Sequence, residues 1–354
     1  MTTARKERRS AASRKRPRVE PGRLLALVDD FVGIRVAVFG DLIVDEFIYG
    51  QIARVSREAP VLILNYDSTE IVAGGAGNAA TNIAALGGSP MAIGIAGRDE
   101  SGRRVVEVMR RRMDVRGVLR PAGYRTPTKT RILAGGVHSA KQQVVRIDRA
   151  SQPVVTEADR RSIESHLSHA AAKCDALLVS DYGFGLVTPA AILQAQRRFK
   201  GPGRRQAPVM LDSRYGLLQY RGVTACTPNE SEVEHILGIR IGDDLTALEK
   251  AGREIVKRMQ TEAVLITRGS RGMALFEKDR ETVHIPISGS DQIADVTGAG
   301  DTVIATMTLA VAAGGSFEEA ARLANYAGGL VVMKRGTATI SADELRDAVL
   351  ADAS

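Results

Sequence analysis

The segment Asp295-Val-Thr-Gly298-Ala299-Gly300-Asp301-Thr carries the most chemistry per residue in this sequence. A Gly-Ala-Gly run at the start of a helix leaves backbone N–H groups unobstructed. Those donors and the positive end of the helix dipole together make a site for an anion. A carboxylate at Asp301, inside the first turn, suits different chemistry, since it can take a proton from a hydroxyl that attacks phosphorus. The same residues also read as a tight loop with Asp301 as a helix N-cap. A second small-residue segment, Ala73-Gly74-Gly75-Ala76-Gly77-Asn78-Ala79-Ala80-Thr81-Asn82, reads as a loop that turns Asn side chains toward a polyhydroxy ligand, or as a plain loop-to-helix turn. Its Gly75-x-Gly77-x-x-Ala80 spacing matches the dinucleotide fingerprint only weakly, because that fingerprint belongs directly after the first strand of a βαβ unit.

Three further segments follow strand-like runs. Gly40-Asp41-Leu-Ile-Val-Asp45 puts two carboxylates just past a strand's C-terminal end, where open α/β sheets bind ligands. They suit vicinal hydroxyls, or are solvated loop acids. Thr227-Pro-Asn229-Glu-Ser-Glu232 opens a helix, with Asn229 and Glu232 three apart on one face. That spacing suits a hydrated Mg²⁺ beside phosphates, and equally a capping box. Thr267-Arg-Gly269-Ser-Arg-Gly272 could touch a nucleotide, or be a turn.

Other chemistries are excluded. Gly-Lys never occurs, so there is no GxxxxGK[ST] loop, and neither GxSxG nor HExxH is present. His166 and His169 form the one close histidine pair, without a further ligand nearby. With no Trp, 7 Tyr and 7 Phe, base-stacking platforms for nucleic acid are not expected. The two cysteines, Cys174 and Cys226, fit a reducing, cytoplasmic setting.

The elements that must position these residues follow from periodicity. The 354 residues, 44% apolar and 25% charged, are an ordinary globular composition with no run long and apolar enough to span a membrane. The net charge of +8 is concentrated in residues 1–23, where nine Lys/Arg face Glu7 and Glu20. Residues 1–22 are expected to be a basic disordered tail that could touch nucleic acid weakly, and 23–354 one domain. Apolar runs at 35–40, 60–66, 91–96, 176–180, 208–211, 223–226 and 263–267 read as strands. Segments 22–32, 76–86, 101–113, 156–171, 188–199, 230–237, 245–260, 299–313, 317–334 and 342–350 read as helices. Strands alternating with such helices predict a mostly parallel sheet covered on both faces. Two clusters without intervening helices, about 48–72 and 124–147, predict a small antiparallel sheet beside it.

Taken together these pieces resemble the ribokinase-like (PfkB) carbohydrate kinases. The carrying segments are AGGAGNAATNIAALG (73–87), TPNESE (227–232), ITRGSRG (266–272) and DVTGAGDT (295–302), in order and at matching spacing from about 34 to 350. Within that family the chain is most similar to the D-glycero-β-D-manno-heptose-7-phosphate kinases, the kinase half of bifunctional ADP-heptose synthesis proteins. GDLIVDEFIYGQIARVSREAPV (40–61), TPTKTRIL (126–133), QQVVRID (142–148), VSDYGFG (179–185) and YRGVTACTPNESE (220–232) carry that likeness. Those kinases usually carry Asp-Pro-Lys where this chain has Asp212-Ser213-Arg214, and the chain ends without a nucleotidyltransferase half, so the kinase step alone is expected.

The resemblance implies a ribokinase-like three-layer sandwich with a small antiparallel β lid that often also forms a homodimer interface. It implies ATP and Mg²⁺, and in the wider family a monovalent cation (K⁺). Asp301 would be the catalytic base, with the backbone of Gly298, Ala299 and Gly300 as the anion hole. Asp45, Gly74, Gly75 and Asn78 would bind the sugar. Asn229 and Glu232 would organise Mg²⁺ and phosphates, and Asn229, Thr267, Gly269 and Asn325 would lie along the ATP. Lid cations Arg54, Arg57, Lys129 and Arg131 are candidates for a substrate phosphate, or a solvated lid edge. The acceptor hydroxyl expected is C1 of the heptose 7-phosphate. The alternatives are another sugar (ribose, fructose or a phosphorylated hexose), or a non-catalytic sugar-sensing protein with a nucleic-acid-binding tail.

Overall fold

The computed structural model describes residues 19–353 apart from 137–140, 150–154, 201–206 and 290–293. Most of the expected basic tail lies outside the described residues. The first helix, α1 (Pro21–Asp29), opens inside that range, with Pro at its first position, where a missing N–H costs nothing.

The chain order is then β1 (Arg35–Gly40), β2 (Leu42–Val55), β3 (Leu62–Gly75), α2 (Ala76–Ala85), β4 (Ser89–Ile95), α3 (Glu100–Arg110), β5 (Asp114–Leu119), β6 (Thr128–Gly135) and β7 (Gln142–Arg149). The remainder runs α4 (Glu157–Ala171), β8 (Ala176–Asp181), α5 (Pro189–Phe199), β9 (Val209–Ser213), β10 (Ala225–Cys226), α6 (Glu230–Leu237), α7 (Leu245–Met259), β11 (Ala263–Thr267), β12 (Met273–Glu277), β13 (Val283–Ile285), α8 (Ala299–Ala312), α9 (Phe317–Val331) and α10 (Ala342–Ala353).

The main sheet has the order β13-β12-β11-β10-β9-β8-β1-β4-β5. It is parallel from β5 to β11, with β12 and β13 antiparallel at one edge. Alternation along β1 shows how the sheet makes two cores. Val36 and Val38 pack with Leu27, Ile83 and Ile304 on one face, while Ala37 and Phe39 pack with Leu167, Ile192 and Leu248 on the other. Phe39 is fully buried, and truncating such a side chain to Ala costs about 3–5 kcal/mol. Helix α8 is buried almost all round, and its Thr306 and Thr308 hydroxyls donate to the carbonyls one turn back, so these buried hydroxyls keep partners. Among the described residues no helix is long and apolar enough to cross a membrane.

The small sheet has the order β3-β2-β6-β7. Its outer pairings are antiparallel as expected, and the central β2–β6 pairing is parallel. Three sequence expectations change. Asp45 does not lie on a loop, because β2 begins at Leu42 and runs from the core into the small sheet, whereas Asp41 does directly follow β1 but is buried. Gly74 and Gly75 end β3 rather than sitting in a loop. Strand β5 was not anticipated; Gly117 reads as a breaker, yet a Cβ there would collide with the Ala92 carbonyl of the neighbouring strand.

Candidate active site

The site forms at the C-terminal ends of the parallel strands, where β1, β8, β9, β10 and β11 meet the N-terminus of α8 and the small sheet. Gly298 is the N-cap of α8, with φ +79°. A Cβ there would strike the Asn78 amide as well, so glycine is required twice over. The Ala299 N–H, expected as a donor of the anion hole, is bonded instead to the Val296 carbonyl at 3.3 Å, whereas Gly300 has open space around it and first-turn N–H groups such as its own have no intrahelical acceptor. They are the donors that an anion hole needs.

Asp301 is three residues inside the helix and 3% exposed. Its carboxylate does not cap its own helix, which removes the N-cap reading. Instead Oδ2 accepts from Asn78 Nδ2 at 2.7 Å, and Oδ1 accepts from the Tyr182 hydroxyl at 3.1 Å. Burial pushes its pKa from 3.8 to about 7; the Asn78 and Tyr182 bonds pull it down, Asp45 raises it and Lys129 lowers it. A carboxylate so poised holds or takes a proton near neutral pH. Asn82, one turn after Asn78, accepts from Thr302 Oγ1 at 3.0 Å and locks α2 against α8.

Asp45 on β2 lies beside this group, 6% exposed. Arg131 Nη1 of β6 donates to its Oδ1 at 2.5 Å, and both side chains are buried. The Arg131 guanidinium also sits 5.3 Å from the Phe47 ring. Arg131 is therefore committed to Asp45 and is not an open cation for a phosphate, as the sequence suggested. A Cβ at Gly74 would collide with the Asp45 carboxylate, so glycine there makes room for it. Lys129, two residues earlier, stands 5.0 Å over the Tyr182 ring. It has no carboxylate at ion-pair distance among the described residues, and burial lowers its pKa. Arg54 is at the outer end of β2, about 30 Å along the strand from Asp45. Arg54 and the neighbouring Arg57 are thus not gathered with Lys129 and Arg131 around Asp301. Asp41 also faces elsewhere: its Oδ2 accepts from the N–H groups of Tyr182 (2.9 Å) and Phe184 (3.2 Å).

Asn229 and Glu232 form the capping box of α6. Asn229 Oδ1 accepts from the Glu232 N–H and Glu232 Oε2 from the Asn229 N–H, both at 2.9 Å. Burial raises the Glu232 pKa, and Arg214 opposes the rise. Asp212, at the end of β9, is raised well above the carboxylate range, first by burial and then by Glu232 and Asp301. The start of α6 and the α8 terminus share a cleft of about 490 Å³. Asn229, Thr267, Gly269 and Asn325 line it together with Ala299 and Gly300. Asn325 Nδ2 donates to the Pro286 carbonyl at 2.9 Å. Its floor is set by residues that sequence reasoning passed over. Glu230 accepts from Arg268 Nε at 2.7 Å and from Arg271, and Arg268 Nη2 donates to the Gly242 carbonyl at 2.7 Å. Tyr182 was also passed over, although it directly follows a buried strand, and Asp212 and Arg214 entered only as a departure from the Asp-Pro-Lys of the heptose kinases, with no role given to them.

A cleft that ends on open helix-start amides, next to a buried carboxylate flanked by an Asn and a Tyr, is an arrangement for moving an anionic group onto a hydroxyl. Comparison with known proteins agrees. Residues 35–344 match the pfkB family carbohydrate kinases. The chain is 38% identical over 314 residues to the bifunctional protein HldE of Geobacter sulfurreducens, covering 88% of this chain and 62% of that protein. It is 36% identical over 316 residues to the bifunctional protein HldE of Coxiella burnetii, covering 89% and 63%. The chain thus spans less than two thirds of these relatives. Among solved structures it is similar to phosphofructokinase-2 from Escherichia coli in complex with substrates and products, with TM-score 0.69, 20% identity and coverage of 91% and 100%. It is also similar to Arabidopsis thaliana ribokinase complexed with ribose and ATP, with TM-score 0.65, 20% identity and coverage of 90% and 98%. The sequence match, the shared fold and the geometry of the site agree: this chain belongs to the pfkB family of carbohydrate kinases.

Proposed function

We propose that the chain transfers the γ-phosphoryl group of ATP to C1 of D-glycero-β-D-manno-heptose 7-phosphate. The observation that carries the transfer is Asp301: a buried carboxylate poised near neutral pH, held by two donors from outside its own helix, next to the open amides of the α8 terminus. Asp301 takes the proton of the acceptor hydroxyl as that oxygen attacks phosphorus. The Gly300 and Asp301 N–H groups face the charge that develops on the transferred group. Asn78 and Asp45 orient the sugar hydroxyls, and the cleft lined by Thr267, Gly269 and Asn325 takes the nucleotide. Likeness to proteins named bifunctional protein HldE supports a heptose phosphate as acceptor. Lys129 and Arg214, both near Tyr182, supply cations for its phosphate.

The donor set also fits a hard, hydrated cation. Glu232 keeps one carboxylate oxygen outside its capping box, and Asp212 lies in its electrostatic field. When bound, Mg²⁺ neutralises phosphate charge, and Glu232 with Asp212 would hold it. The small sheet supports homodimer formation. Val55, Val61, Leu62, Tyr66, Val145 and Ile147 are exposed apolar residues on its outer strands and hairpin, more than a lone solvated sheet needs.

The test is ATP consumption against a panel of sugars and sugar phosphates that includes the heptose 7-phosphate, with ³¹P NMR of the product. The heptose phosphate should give the highest kcat/KM and a new anomeric phosphate signal. Turnover of an unphosphorylated sugar, with none of the heptose phosphate, would overturn the acceptor assignment.

A further inference from the structure

The side chain most closely engaged with Asp301, apart from Asn78, is Tyr182, and catalysis as described above gives it no role. It sits on the loop leaving β8. That loop is pinned from below, because Asp41, 1% exposed, accepts both the Tyr182 and Phe184 N–H groups on one carboxylate oxygen. The ring is flanked by two cations from different elements, Lys129 Nζ of β6 at 5.0 Å and the Arg214 guanidinium, just past β9, at 5.9 Å. Such cation–aromatic contacts hold a ring in place. A tyrosine fixed by backbone, ring and hydroxyl at once is more constrained than packing alone requires.

We infer that Tyr182 is a positioning residue for the catalytic base, its hydroxyl fixing Oδ1 of Asp301 while Lys129 and Arg214 hold its ring. The inference rests on the assignment of Asp301 as the base. Burial, Asp301 and Asp212 together keep the Tyr182 hydroxyl protonated well beyond the ordinary tyrosine range. It is therefore a donor at every working pH, and it favours the ionised form of Asp301. With Asn78 on Oδ2 and Tyr182 on Oδ1, the carboxylate plane is set by two bonds.

The groups facing Asp301 are Asn78 from α2, Asp45 from β2, Lys129 from β6, Tyr182 from the loop after β8, and Asp212 from β9. Asp45 raises its pKa, Asn78, Tyr182 and Lys129 lower it, and Asp301 in turn raises that of Asp212. Removing the Tyr182 hydroxyl alone leaves the rest in place, so the midpoint of Asp301 should rise by about one pH unit, the worth of a hydrogen bond to a charged group.

The experiment is a ¹³C NMR titration of protein labelled at aspartate carboxyls, with the Asp301 signal assigned by its loss in Asp301→Asn. It needs no acceptor, so it stands apart from the choice of sugar. In Tyr182→Phe, which keeps the ring between its cations, the Asp301 midpoint should move from about 7 to about 8. With an acceptor that is turned over, the acidic limb of kcat should shift by the same amount. The rate should then recover to within a few-fold of the parent at pH 9, with KM for ATP unchanged. A midpoint within about 0.2 unit of the parent would show that Tyr182 serves packing only and would overturn the inference. So would a kcat loss that persists undiminished at pH 9. If instead Asp301→Asn transferred phosphoryl at the parent rate, the base assignment would fall, whatever Tyr182 does.

Discussion

Replacing Asp301 by Asn separates the chemistry of the carboxylate from its packing. The change is nearly isosteric, and its two hydrogen bonds can adapt. The amide oxygen keeps the bond from Asn78, now 2.7 Å, and the amide nitrogen donates to the Tyr182 hydroxyl, which turns to accept. Asn cannot take a proton. Phosphoryl transfer should therefore fall by about 10²–10⁴-fold, the usual worth of a general base. The loss should be in kcat rather than KM, because the proton moves only in the chemical step. Stability should move the other way. Burial raises the Asp301 pKa from 3.8 to about 7, so the folded protein holds that proton more tightly than the unfolded chain. The resulting stabilisation is full below pH 3.8 and is lost as pH rises through 7. The shift of about three units, at about 1.36 kcal/mol each, makes that loss about 4 kcal/mol by pH 8. Asn is neutral throughout and escapes it. The variant should gain in melting temperature relative to the parent at pH 8, with the gain shrinking toward pH 5. The assays are single-turnover transfer at saturating ATP and acceptor, and thermal melts at both pH values. A transfer rate within about threefold of the parent would refute the base assignment, and a stability difference independent of pH would refute the electrostatic account.

Lys129→Ala should raise KM for a phosphorylated acceptor more than for its unphosphorylated counterpart, read from paired steady-state kinetics. Arg131→Ala should instead cost about 3–5 kcal/mol of stability in denaturant melts, because it leaves Asp45 buried and unpaired, and should impair both acceptors alike. Gly298→Ala should lower kcat at least tenfold and destabilise the fold by about 1–3 kcal/mol, since φ is +79° and the new methyl meets the Asn78 amide. If the small sheet carries the proposed dimer, the parent should sediment as a dimer and Val145→Glu with Ile147→Glu as a monomer in analytical ultracentrifugation, while the melting of the main domain stays within a few degrees. Deleting residues 1–18, which hold most of the tail's positive charge, should leave kcat and melting temperature unchanged.

The parallel sheet apart from β5 was legible because its strands are short apolar runs alternating with helices. The α8 terminus was legible because glycines and an acid crowd one turn. Strand β2 was not. Its first residues are buried on both faces and its last are exposed on both, so the alternation that marks a half-buried strand never appears. The Arg131–Asp45 pair joins residues 86 apart, and the Tyr182–Asp301 bond joins residues 119 apart. Such contacts leave no trace in local spacing. The capping box at Asn229 and Glu232 was foreseen as one of two readings, and the structure makes that pair do the capping without barring a second use.

Strand β2 also sets where the small sheet can bend. Residues Leu42–Val44 are fixed in the core, so the root of the strand cannot swing. Pairing slips between Tyr49 and Gly50 toward β3, and between Ile132 and Leu133 toward β7. Tyr49 and Leu133 are themselves cross-strand partners. A third irregularity lies further out on β2, between Ile52 and Arg54, but these two fall on one line across all four strands, with Asp67 and Val144 the extra residues on the flanks. Bulges are where a ladder yields most easily. Flexing along that crease would sweep the outer half of the sheet, with Arg54 and its exposed apolar residues, while Asp45, Lys129 and Arg131 stay still on the inner side. One continuous ribbon would thus divide labour lengthwise: its distal half is free to admit or shut out solvent, and its proximal half keeps the recognition surface from being rebuilt at each turnover.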